Sequence, residues 1–132
     1  MKNPHLILLV DDDADDLMLI QEAILELDNS FRFHEAHDGR HALNYLRSLA
    51  EGESYPGLIV LDINMPVLDG REMLAILKSD PALKEIPVVV FSTSSNPSDI
   101  EYCRQFKVDL LTKPFDMSRL MEAAGKIISY CR

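Results

Sequence analysis

Two hydrophobic periods alternate along the chain. Short apolar runs, each bounded by polar, glycine or proline positions, occur at 6–10, 58–61, 88–91 and, more weakly and interrupted by Asp109, at 108–111. Runs of four or five apolar residues between such breakers suit strands buried on both faces. The segment FRFHEAHDG, residues 31–39, alternates instead; it puts Phe31 and Phe33 on one face and reads as the remaining strand. Between these runs the apolar residues recur every three or four positions: Leu17, Ile20, Ile24 and Leu27; Leu43, Leu46 and Leu49; Met73, Ile76 and Leu77; Leu120, Ala123, Ala124, Ile127 and Ile128. That is the stripe of an amphipathic helix. Strands alternating with such helices imply parallel pairing through crossover connections. The pattern predicts an α/β fold of five βα units, in one domain covering 1–132 with no output domain.

The boundaries carry their own chemistry. Asn96 before Pro97 suits an N-cap with proline at the first helical position, and Asp116 can cap the last helix. Asp69 and Gly70 read as a turn into the third helix. The stretch LAEGESYPG, residues 49–57, has the composition of a surface loop. No repeat, low-complexity tract or linker divides the chain.

In an open parallel sheet, chemistry collects just beyond the carboxyl ends of the strands. Asp11 and Asp12 follow the first strand run, Asp62 the third, Ser92, Thr93 and Ser94 the fourth, and Lys113 the fifth. Three carboxylates brought to one edge repel one another unless they protonate or bind a cation. A hard divalent ion such as Mg2+, which takes carboxylate, carbonyl and water oxygens, resolves that repulsion. A carboxylate is also a nucleophile toward a phosphoryl group. Asp62 stands alone on its strand, and Lys113 with Ser92 offers the cation and hydroxyl that developing phosphoryl charge requires. Asp13, Asp15 and Asp16 have a plainer explanation as the acidic start of a helix, favoured by its dipole. The four histidines read as surface or packing residues, Cys103 as a small buried or half-buried residue, and Met65, Met73, Met117 and Met121 as core filler.

Composition narrows the partners. With 22 acidic against 13 basic residues the formal net charge is −9, which disfavours nucleic acid and anionic membranes. Two cysteines without paired spacing argue against both a disulfide scaffold and a thiolate metal site. No run approaches the roughly 18 apolar residues of a membrane span. The expectation is a soluble cytoplasmic protein.

The fragments LLVDDD, LIVLDINMPVLDG, PVVVFST and LTKPF, in this order and spacing, resemble the receiver domain of bacterial two-component response regulators. The resemblance implies a doubly wound, CheY-like (βα)5 fold with strand order 2-1-3-4-5 and helices on both faces. It also implies Mg2+-dependent phosphotransfer from a sensor histidine kinase to an aspartate. By resemblance Asp62 is the phosphoacceptor, and Asp11, Asp12, Asp62 and the backbone carbonyl of Asn64 hold the metal. Lys113 pairs with a phosphoryl oxygen and precedes a cis proline; Ser92 is the switch hydroxyl. Leu110 departs from the pattern, which usually has Tyr or Phe three residues before the lysine. Thr93 stands where many receivers have alanine, and Asn64 and Ser94 occupy positions that set dephosphorylation rate.

The chain looks most like the small stand-alone receivers of bacteriophytochrome kinases, which often dimerise through the fourth helix, fifth strand and fifth helix. Here that face would include Tyr102, Phe106, Leu110, Met121 and Ile128. Such a protein is a self-phosphorylating and self-dephosphorylating switch, not an enzyme with an external substrate. A phosphorelay intermediate or phosphate sink, passing its phosphate to a histidine phosphotransferase, is the alternative within the family. An Asp-nucleophile phosphohydrolase of the haloacid dehalogenase type is a third reading. It fits poorly, because the candidate nucleophile lies on the third strand, Asn64 follows it by two, and no chain remains for a cap.

Overall fold

A computed structural model of the chain describes residues 2–49, 55–65, 67–93 and 96–131, with side chains from residue 5 onward. Strands and helices alternate throughout: β1 (Lys2–Val10), α1 (Ala14–Leu27), β2 (Arg32–Ala36), α2 (Gly39–Ser48), β3 (Tyr55–Leu61), α3 (Gly70–Ser79), β4 (Val88–Ser92), α4 (Pro97–Gln105), β5 (Leu110–Thr112) and α5 (Met117–Ile128). All five strands pair in parallel, in the order β2-β1-β3-β4-β5.

Strand side chains alternate between two cores, which is why the runs are continuously apolar. Leu8, Val10, Ile59, Leu61, Val88 and Val90 point toward α2, α3 and α4, where they meet Leu43, Leu46, Met73, Leu77 and Cys103. Ile7, Leu9, Leu58, Val60, Val89 and Phe91 face α1 and α5, against Leu17, Ile20, Ile24, Leu120 and Ile127. Phe31 is buried in this second core with Phe33 packed against it, as their alternation implies. Each helix begins on an Asx cap: Asp13, Asp38, Asp69, Asn96 and Asp116 each accept a backbone N–H from the first turn.

Three expectations shift. β3 starts at Tyr55, inside the stretch read as loop, because β1 extends toward the N-terminus and pairs there with Tyr55 and Pro56. The rest of that loop, 50–54, lies outside the described residues. β5 starts at Leu110 and not at Val108, because Val108 belongs to the stop of α4. Lys107 takes a left-handed φ of 59°, its N–H bonds to the Arg104 carbonyl, and the Val108 N–H reaches back to Cys103. That is a Schellman ending, and Val108 supplies its apolar contact. Finally, Met117 is 62% exposed and Phe115 99% exposed, so Met117 is not core filler. Among the described residues no helix is long and apolar enough to cross a membrane.

Candidate functional site

The carboxyl ends of β1, β3, β4 and β5 meet at one edge of the sheet. Asp11 is tied into the ladder by its own N–H to the Ala36 carbonyl, and Asp62 by its N–H to Val10 (2.9 Å). The Lys113 N–H bonds to the Ser92 carbonyl at 2.8 Å, fixing the end of β5 against that of β4. Side-chain positions here are therefore set by backbone pairing. Asp11, Asp62, Ser92 and Lys113 are all buried.

Behind Asp62 the chain makes a close approach that only glycine permits. The Gly70 N–H donates to the Ile63 carbonyl at 2.9 Å. A Cβ on Gly70 would sit 2.3 Å from the Asp62 carbonyl oxygen and 2.6 Å from the Ile63 Cα. The turn between Asp62 and α3 thus clamps the end of β3 against the helix start. Asp69 and Gly70 form the helix entry that the sequence implied, and the turn also holds Val67 at a left-handed φ of 69°.

Carboxylate oxygens of Asp11, Asp12 and Asp62 all lie within 4.8 Å of one another. The Lys113 ammonium reaches three acids: Asp11 Oδ2 at 2.6 Å, Asp16 Oδ2 at 2.7 Å and Asp62 Oδ2 at 3.4 Å. Burial pushes the Asp11 carboxyl up to about 6, against the hydrogen bonds it accepts from Lys113 and the Asp13 N–H. Burial also acts against the charge on Lys113, but the hydrogen bonds to Asp11 and Asp16 and the nearby charge of Asp62 outweigh it. The ammonium is held above its ordinary range. The other oxygen of Asp62, Oδ1, is buried with no hydrogen-bond partner among the described residues.

An unpartnered buried carboxylate oxygen is costly. Set beside two more carboxylates, it is the arrangement that a hard divalent cation satisfies, and the oxygen donor set suits Mg2+ or Mn2+. The residues present therefore fit a metal of this class. Asn64 is exposed beside this cluster and lines an open recess with Asp12, Asp69, Arg71, Asn96 and Asp99. Thr93 is exposed; Ser94 and Ser95 lie outside the described residues.

Three features differ from the sequence reading. The Lys113–Pro114 bond is trans, since no described peptide bond is cis; the intrinsic preference separating the isomers of an X–Pro bond is only about 0.5–1 kcal/mol. Asp16, read as part of a solvated helix start, turns inward to Lys113. A clasp joins α3 to α4 and was not anticipated. The Arg71 guanidinium donates to Asp99 (2.8 Å from Nε) and to Ser98, and it packs over the Tyr102 ring, whose hydroxyl donates to the Arg71 carbonyl. Leu110 is half-buried against the same core as Tyr102 and Phe106. No single position in the sequence marks this clasp, because its partners are 27 to 31 residues apart.

A five-stranded 2-1-3-4-5 sheet with acids and a lysine at its carboxyl edge defines a receiver. The response regulator receiver domain family matches residues 7–125. The chain belongs to this family, and so to two-component signalling. It is 38% identical over 130 residues to response regulator Rcp1 of Synechocystis sp., covering 96% of this chain and 88% of that one. The crystal structure of the phosphorylated cyanobacterial phytochrome response regulator RcpA superimposes with a TM-score of 0.86 at 42% identity, over 96% of this chain and 93% of that. The Mn2+-bound form of Rcp1 gives a TM-score of 0.83 at 37% identity, covering 96% and 94%.

Proposed function

We propose that the chain is a phosphorylation-controlled signalling switch in which Asp62 accepts a phosphoryl group from the phosphohistidine of a sensor kinase. The observation that carries this reading is the buried, unpartnered Oδ1 of Asp62, held beside Asp11, Asp12 and the Lys113 ammonium. An Asp62 carboxylate oxygen attacks phosphorus. The new O–P bond forms as the histidine N–P bond breaks, and its electron pair stays on the imidazole nitrogen. Lys113, whose ammonium already lies among these acids, offers positive charge to the phosphoryl oxygens. Asp11, Asp12, Asp62 and the Asn64 carbonyl would hold Mg2+. Bound there, the cation would supply Lewis-acid stabilisation of phosphoryl charge.

Ser92 lies fully buried at the end of β4, directly before the loop into α4. Its hydroxyl would turn to the phosphoryl group and carry that loop with it, altering the affinity of the α4 face for a partner. The relatives named as phytochrome regulators support a phytochrome-type kinase as the donor. Residues 1–132 act as one receiver unit in the cytoplasm, and the only phosphoryl bond it turns over is its own aspartyl acyl phosphate. Activation would pair two copies through α4, β5 and α5, and light-scattering mass with and without beryllofluoride tests that pairing. Leu110 favours a second reading as a relay intermediate, since the aromatic that usually reports phosphorylation is missing.

The test is phosphate incorporation from acetyl phosphate, with Mg2+ or EDTA, in wild type and Asp62→Asn. Labelling is expected only in wild type with Mg2+. Label retained in EDTA or in the variant would overturn the assignment.

A further inference from the structure

Three acids at the start of α1, the cap Asp13 and the first-turn Asp15 and Asp16, invite one common explanation, the helix dipole. The contacts separate them. Asp13 is the N-cap, accepting the N–H groups of Asp15 (3.0 Å) and Asp16 (3.1 Å). Asp16 stands three residues after this cap, where an acid ordinarily reaches back to the cap's own N–H. That N–H is already taken, since it donates to Asp11 Oδ1 at 3.0 Å. Asp16 is thereby left without a local duty, and its carboxylate turns to Lys113 at 2.7 Å with only 33% of its side chain exposed.

The consequence falls on Asp62. An ammonium has three protons to give. Two close contacts go to Asp11 and Asp16, and Asp62 receives only the 3.4 Å contact. A lysine fully paired with the acceptor would lower the nucleophilicity of its carboxylate. A lysine too far away could not stabilise the phosphoryl group. We propose that Asp16 is a positioning residue that shares the Lys113 ammonium with Asp11 and holds it off the unphosphorylated Asp62, releasing it to the phosphoryl group once transfer has occurred. The exchange follows from charge: transfer leaves Asp62 carrying phosphoryl oxygens that outbid a half-exposed carboxylate for the same donor.

This inference rests on Asp62 being the acceptor, and the experiment separates the two. Phosphorylation by acetyl phosphate is timed at saturating Mg2+ in wild type, Asp16→Asn, Asp16→Glu, Lys113→Met, the Asp16→Asn/Lys113→Met double variant and Asp62→Asn. Asp16→Asn should slow the maximal rate by roughly fivefold, a modest pair coupling, without moving the half-saturating acetyl phosphate concentration. Asp16→Glu should recover most of the rate. In the Lys113→Met background Asp16→Asn should add nothing, because its effect passes through the lysine. A wild-type rate in Asp16→Asn, or an undiminished fivefold loss in the double variant, overturns the proposal. Labelling of Asp62→Asn would instead overturn the acceptor assignment.

A second readout needs no turnover. The ε-carbon resonance of Lys113 should move when beryllofluoride and Mg2+ are added to wild type. In metal-free Asp16→Asn it should already be displaced toward that position, and a resonance left at the wild-type shift would also overturn the proposal.

Discussion

The close approach at Gly70 makes a demanding test of the site's construction, because the identical chemical change elsewhere should have the opposite sign. Replacing Gly70 by alanine puts a methyl group 2.3 Å from the Asp62 carbonyl oxygen and 2.6 Å from the Ile63 Cα. Both are backbone atoms held by the sheet and by the Gly70 to Ile63 hydrogen bond, so no side chain can swing aside. Overpacking against a rigid core costs about 1–3 kcal/mol, and contact with fixed backbone belongs at the upper end. Unfolding entropy of roughly 2.1 cal/mol/K per residue makes each kcal/mol worth about 3.6 °C for a chain of 132 residues. Gly70→Ala should therefore lower the melting temperature by about 10 °C. Gly125 in α5 is the control. Its added Cβ would meet nothing nearer than Leu27 Cδ1 at 3.8 Å, an ordinary contact. There the substitution relieves the entropy cost of a mid-helix glycine, about 0.5–1 kcal/mol, and should raise the melting temperature by about 2–4 °C. Circular dichroism at 222 nm against temperature measures both. The acetyl phosphate assay should show Gly70→Ala slowed, since the methyl group pushes on the Asp62 backbone, and Gly125→Ala unchanged. A Gly70→Ala protein melting within a degree of wild type would refute the claim that this turn fixes Asp62.

Two further outcomes are expected. Mutual repulsion among Asp11, Asp12 and Asp62 should make the metal-free protein gain stability on Asp12→Asn, while wild type alone gains about 5 °C from Mg2+ or Mn2+ at roughly ten times its dissociation constant; equal metal-induced shifts in both proteins would show that Asp12 is no part of the cation site. At the far end of α5, burial pushes the Cys131 thiol from its ordinary 9.0 up to about 11. The fold thus favours the protonated thiol, and that contribution is intact below pH 9 and lost as the pH climbs from 9 to 11. Wild type should lose more stability than Cys131→Ala between melts at pH 8.5 and 10.5, and parallel losses would rule the thiol out as the cause.

What the sequence could disclose depended on how each residue is placed. Asp11, Asp62, Ser92 and Lys113 were legible because a strand end is a position: once the apolar run and the parallel topology are read, the next residue lies at the carboxyl edge whatever its neighbours do. Asn96 and Asp116 were legible as caps for a similar reason, since an Asx side chain and the first-turn N–H groups are local partners. Val108 misled because an apolar residue before a strand and one closing a Schellman turn have the same composition; only the left-handed φ at Lys107 distinguishes them. Asp16 was illegible for a different reason. Its role turns on an absence of local demand, created when Asp11 satisfies the cap N–H that Asp16 would otherwise meet. The orientation of a side chain on a helix's first turn is thus decided by which donors its neighbours have already used. In this chain the neighbour that used the donor, Asp11, is itself one of the two acids closest to Lys113. One residue therefore sets the helix start and shares the Lys113 ammonium with Asp62, so perturbing Asp11 should disturb both the N-terminus of α1 and the lysine's position. The carboxylate pair after β1 is more than a candidate cation site; its first member also determines which third acid reaches the lysine.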